Sequence, residues 1–207
     1  MKGMEALFEV LDGPMEPSGR VSRAQFLKLS SWFTLVLCLL ALFVPLIFQR
    51  PGVWSWLAPS GLLTWHTLAS GLVGALLSAA VVLIVAHSRT LRAMTSQLLG
   101  LVDWSSFTIP DYCAVALLAA VGEELLFRGA MQPVIGLVPA AVIFGLLHAT
   151  AVAHMVLAGA LGVSLGWLFH WTGSLWPPIV AHFIIDLMTA LLLARALISR
   201  APPTPGE

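Results

Sequence analysis

The chain has 207 residues, 59% of them hydrophobic and only 10% charged, with a mean hydropathy of +0.95. Ten basic and ten acidic residues cancel to zero net charge. This composition excludes an ordinary soluble domain, and the charge balance offers no basic surface for nucleic acid.

Long apolar runs predict an all-α protein: a polytopic transmembrane helical bundle of about six spans in a single domain. Residues 1–29 form a polar N-terminal segment. Met4, Leu7, Phe8 and Leu11 have helical spacing and suit a short surface helix. Gly13-Pro14 and Pro17-Ser18-Gly19 break it. The apolar run starts late for a signal peptide, and Phe48-Gln49-Arg50-Pro51 offers no small-residue cleavage site. The membrane domain then covers residues 30–200. Trp32–Phe48 is the first expected span, with Pro45 near its end. Trp54, Trp56 and Trp65 mark an interfacial connection. Leu68–Ala86 is the second span, with Ser70, Gly74 and Ser78 as a small-residue face. Leu91, Met94, Leu98 and Leu99 beside Arg89 and Arg92 suit a helix lying on the membrane surface. Ile109-Pro110-Asp111 gives a turn and an N-cap ahead of the third span, Tyr112 to about Met131. Pro133 and Pro139 bracket a short link. Val138–Val152 contains the fourth span and His154–Trp171 is the fifth. Ala158, Gly162 and Gly166 form its small face. The last helix runs from about Pro178 to Leu197, and 201–207 is a Pro-rich, disordered tail. Cys38 and Cys113, far apart in apolar runs, read as buried free thiols.

With six spans, Lys2, Arg20, Arg23, Lys28, Arg89, Arg92, Arg195 and Arg200 fall on one side. The positive-inside rule makes this a multi-pass cell-membrane protein with both termini in the cytoplasm.

The organising stretch is Val121-Gly122-Glu123-Glu124-Leu125-Leu126-Phe127-Arg128-Gly129. Charge within a span is costly, so such groups face a protein interior or a wet cavity and are functional candidates. On a helix Glu124 and Arg128 share a face and can pair, while Glu123 points about 100° away and stays free for chemistry. The plain alternative is that all three only pin helix packing. Two further apolar segments carry His148 and the pair His182 and Asp186, one helical turn apart. Unpaired ionisable groups in lipid must find each other, so Glu123, His148, His182 and Asp186 are expected to converge on one polar cavity. His66, His87 and His170 lie near span ends and read as structural, and His154 has the wrong spacing to share a face with His148. A carboxylate beside an imidazole can take a proton from water and return it to a leaving amine. A second His can donate to the oxyanion. Glu123, His148 and His182 also form a plausible shell for a divalent metal such as zinc, so the cofactor is either none or a metal. No Ser or Cys joins the constellation, which favours activated water over a covalent nucleophile.

Glu123-Glu124-x-x-x-Arg128, Phe144-x-x-x-His148 and His182-x-x-x-Asp186, in that order, resemble the CPBP family of intramembrane proteases. That family includes the type II CAAX prenyl endopeptidases and bacteriocin-processing and immunity-type proteins. The resemblance covers roughly Ala114 to Met188. It implies an all-helical membrane fold and hydrolysis of a peptide or membrane-anchored protein substrate. By that analogy Glu123 and His148 activate the water, and His182 with residue 186 stabilises the oxyanion. Glu124 and Arg128 brace the site, and Phe144 packs beside His148. Position 186 holds Asp where the CAAX endopeptidases have Asn, and an ionised Asp cannot donate to an oxyanion. The N-terminal half is also shorter than theirs, so CAAX specificity is not carried over. The alternative function is a non-catalytic bacteriocin-immunity or partner-binding membrane protein. Proton-coupled transport lacks a visible inverted repeat.

Overall fold

The computed structural model describes residues 20–57, 64–86, 101–148 and 152–198. The expected N-terminal and surface helices, and the tail at 201–207, lie outside these. The described residues form seven α-helices: α1 (Arg23–Ile47), α2 (Trp65–Ala86), α3 (Ile109–Glu124), α4 (Gln132–Ile135), α5 (Leu137–Leu147), α6 (Val152–Thr172) and α7 (Trp176–Ile198). A π-helical turn, Leu125–Met131, joins α3 to α4. Short 3-10 turns occupy Val53–Trp56 and Trp104–Ser106. Among the described residues the only β-type pairing is an isolated bridge between Val21 and Val102.

The elements start where local chemistry lets them. Ser22 caps α1: its Oγ accepts from the Gln25 N–H at 3.4 Å, and Gln25 Oε1 accepts from the Ser22 N–H at 3.0 Å. α3 starts at Ile109, three residues before the expected Tyr112, because Thr108 is the cap and Pro110 sits in the first turn. Asp111 reaches back to accept from the Thr108 N–H and Oγ1 at 2.7 and 2.6 Å. It also accepts from Arg23 Nε and Nη2 at 2.8 and 2.7 Å, which ties the starts of α1 and α3 together.

The expected fourth span is corrected. α5 ends at Leu147 after 11 residues, about 16 Å against a ~30 Å hydrocarbon core. It cannot cross the membrane alone. The run expected to end near Met131 instead continues through the π turn and α4 to Ile135. The cysteines also differ from expectation: both are free but only half-buried.

Small residues set the packing. A Cβ on Gly145 would stand 2.6 Å from the Met155 carbonyl oxygen and 3.0 Å from Gly159 Cα, so α5 and α6 meet backbone to backbone. A Cβ on Gly162 would stand 3.2 Å from Ala141 Cα. Gly122 lets α1 approach the motif, where Thr34 Oγ1 donates to the Leu118 carbonyl at 3.1 Å. Leu37, Ala41, Leu126, Phe127, Ala130, Phe144 and Ala158 form a core around these contacts.

Outside this core α1 is bare. Phe33, Leu35, Val36, Leu39, Leu40, Phe43, Leu46 and Ile47 are all exposed. Among the described residues, α1 and α6 are long and apolar enough to cross a membrane. An exposed apolar face of that extent has lipid as its natural solvent. The protein is an all-helical membrane protein.

Candidate active site

The site forms where α3 gives way to the π turn. π turns are rare and recur at functional sites. Here one falls immediately after Glu124, within a stretch where Leu126 to Ala130 are all buried. Glu124 and Arg128 are almost sealed from solvent, at 0% and 2% exposure. Arg128 Nη1 donates to Glu124 Oε1 at 2.8 Å and Nη2 to the Gly162 carbonyl at 3.1 Å. The guanidinium carbon also lies 4.8 Å from the Phe144 ring centre.

Glu124 has a second partner. His182 Nδ1 lies 2.7 Å from the same Oε1. An ionised carboxylate only accepts, so this contact places a hydrogen on Nδ1 and turns Nε2 towards Glu123 and Asp186. Nε2 stands 3.8 Å from Glu123 Oε2 and 3.5 Å from Asp186 Oδ2. His148 is fixed by the same logic. Its Nδ1 donates to the Phe144 carbonyl at 2.7 Å, leaving Nε2 unprotonated in the neutral ring and 4.0 Å from Glu123 Oε2. Its position just past the end of α5 makes this possible. The Phe144 ring packs on it at 4.5 Å and on the Phe127 ring at 5.0 Å.

Glu123 Oε2 is thus faced by the Nε2 atoms of two imidazoles, and it is buried with no direct hydrogen-bond partner. Glu123, Glu124, Arg128, His148, His182 and Asp186 lie in one connected cluster drawn from three segments of the chain. His154 joins it from α6, with its ring 5.5 Å from that of His148 and perpendicular to it. His66 and His170 are exposed and apart, and His87 is outside the described residues.

The donor set of Glu123, His148 and His182 has the chemistry of a metal shell but not its spacing. Ligands on a tetrahedral zinc at ~2.0–2.1 Å stand roughly 3.4 Å apart. These atoms face one another at 3.8 and 4.0 Å, and no three His, Cys, Asp or Glu among the described residues are arranged to hold a metal ion. The gap suits a water bridging the groups.

Sequence reasoning missed Gln132. It is buried one turn beyond Arg128, and its Nε2 donates to the Gly166 carbonyl at 2.9 Å. Arg128 and Gln132 thus grip successive turns of α6 through the carbonyls of Gly162 and Gly166. A lone amide four residues after Arg128 in an apolar run was the available signal.

Fold and site together define an all-helical membrane protein with a buried Glu/His cluster built on an EExxxR turn. Comparison with known proteins adds a family likeness. Residues 104–188 match the family model described as Type II CAAX prenyl endopeptidase Rce1-like. The matched segment contains all six site residues, so the part of the chain that carries the site is similar to that family. A Bacillus subtilis (strain 168) protein, "Uncharacterized protein YpbD", is 40% identical over 90 residues, which are 42% of this chain and 48% of that protein. The chain therefore spans about half the length of this relative. No solved structure matches the chain.

Proposed function

We propose that this protein is an intramembrane endopeptidase that hydrolyses a peptide bond in a peptide or membrane-anchored protein with water activated by Glu123 and His148. The carrying observation is the unpartnered Glu123 oxygen faced by two imidazole nitrogens at 3.8 and 4.0 Å. A water between Glu123 and His148 can give up a proton as it attacks the carbonyl. Glu123 holds that proton and returns it to the leaving amine. His182 keeps its Nδ1–H on Glu124 and, as an imidazolium among the Glu124, Glu123 and Asp186 carboxylates, also carries an Nε2–H that donates to the developing oxyanion. Asp186 cannot donate when ionised, and its place 3.5 Å from that nitrogen suits orienting the ring. Arg128 binds no substrate here; it neutralises Glu124 and locks the turn onto α6. The polar sequence of the N-terminal segment and the Lys/Arg distribution support a multi-pass cell-membrane protein with cytoplasmic termini.

The test is cleavage of membrane-embedded model substrates by purified protein in liposomes. Glu123→Gln and His148→Ala are each expected to lower kcat about 10²–10⁴-fold, the usual range for a lost general base. A chelator arm separates metal-free from metal-assisted hydrolysis. Full cleavage by both variants would end the proposal.

A further inference from the structure

A cavity of about 180 Å³ lies between α3 and α7 beside the site. We infer that it is a specificity pocket holding one large apolar side chain of the substrate near the scissile bond. This rests on the peptidase reading above.

The pocket follows from residue spacing. Tyr112, Val115 and Ala116 form one stripe on α3, and Asp186, Thr189 and Ala190 form the facing stripe on α7. Both have the i, i+3, i+4 pattern of a single helix face. The two alanines are too small to fill the space between the helices. Trp104 and Phe107 close the far end. They are held in place: Phe26 of α1 packs on them at 5.3 and 5.7 Å, and Tyr112 Oη donates to the Trp104 carbonyl at 3.2 Å. The volume is more than ten times what a single water needs.

Asp186 identifies the occupant. It is the one charged group in the lining, and it also stands 3.5 Å from His182 Nε2 in the site. The pocket and the reacting centre therefore share a wall, so a chain bound across the site passes the pocket mouth. Apart from the Thr189 hydroxyl and the Tyr112 phenol, which is bonded to the Trp104 carbonyl, the remaining lining is aliphatic or aromatic, which suits an apolar side chain. Ala116 precedes Glu123 by about two helical turns, roughly 10 Å. An extended peptide covers that in about three residues, so the pocket reads a position two or three residues from the cleaved bond.

The experiment uses single-span model peptides in liposomes, each carrying Gly, Ala, Leu or Phe at one scanned position. Mass spectrometry gives the cleavage rates. The wild-type protein should cleave Phe or Leu peptides about tenfold or more faster than Gly peptides at one position, the scale of a filled apolar pocket. Ala190→Phe and Ala116→Leu fill the cavity and should bring that ratio near one. An unchanged ratio in a folded variant, or no side-chain preference in the wild type, overturns the inference. A second readout needs no cleavage. Glu123→Gln protein is irradiated with the same peptides bearing a benzophenone side chain at the scanned position. Attachment within residues 104–116 or 186–190 supports the pocket even if no peptide is cut, an outcome that would sink only the peptidase reading. Attachment elsewhere, or labelling of the pocket by a photoreactive fatty acid but not by peptide, overturns it.

Discussion

Two neighbouring carboxylates in one turn take opposite fates, and the difference is in their partners. Glu124 is enclosed by Arg128 and His182, while Glu123 Oε2 faces two imidazoles without a direct hydrogen bond. Removing one partner of a buried ion pair leaves an uncompensated charge, which costs about 3–5 kcal/mol. Arg128→Leu should therefore lower the unfolding temperature sharply in detergent. Glu123→Gln should leave it unchanged or raise it, since a strained active-site group often costs stability. The reverse order in thermal unfolding would refute this division between bracing and chemistry. His182 joins the two roles, because Glu124 orients the ring that faces Glu123.

At the scale of the element, the shortness of α5 matters most. A helix that crossed the whole membrane would carry His148 on a regular turn with its neighbours' backbone groups satisfied. By ending at Leu147, α5 frees the imidazole to bond back to the Phe144 carbonyl and to lean towards Glu123. Irregular backbone at membrane depth is tolerated only where protein or a cavity lines it, which this site supplies. The position of α5 depends in turn on its contact with α6. Gly145→Ala would force its methyl into the Met155 carbonyl and the Gly159 backbone, neither of which can rotate away. Such overpacking should cost about 1–3 kcal/mol in thermal unfolding. Val142→Ala, on the exposed face of the same helix, should change stability by no more than about 0.5 kcal/mol.

Across the whole molecule, a polar tie between an exposed arginine and a buried aspartate complements the central cluster. Arg23 and Asp111 are far apart in sequence and fasten α1 to α3 at their starts. Hydrogen bonds from Arg23, and then from Thr108, hold the Asp111 carboxyl well below the usual carboxylate range. A depressed folded-state value means that the tie contributes fully above the ordinary carboxylate value near 3.8. Its contribution is lost as pH falls below that value towards the folded one. Wild-type protein should therefore lose more thermal stability than Asp111→Asn between pH 5 and pH 3, and the two should respond alike between pH 6 and pH 8. Equal losses over the acidic step would show that the contact contributes nothing.

Much of this was legible along the chain because its causes are local or obligatory. Apolar runs require helices in lipid, and ionisable groups inside those runs must meet. That made the convergence of Glu123, Glu124, Arg128, His148, His182 and Asp186 readable from three separated motifs. The small faces through Gly74 and Gly162 were readable for a similar reason, since close helix contact admits only small side chains. The π turn, the early end of α5, the grip of Gln132 on Gly166 and the pocket beside Asp186 were decided only by the tertiary structure. Each depends on distances between segments remote in sequence, where a shift of an ångström changes which oxygen a nitrogen faces. A residue pattern along one helix carries no such distance.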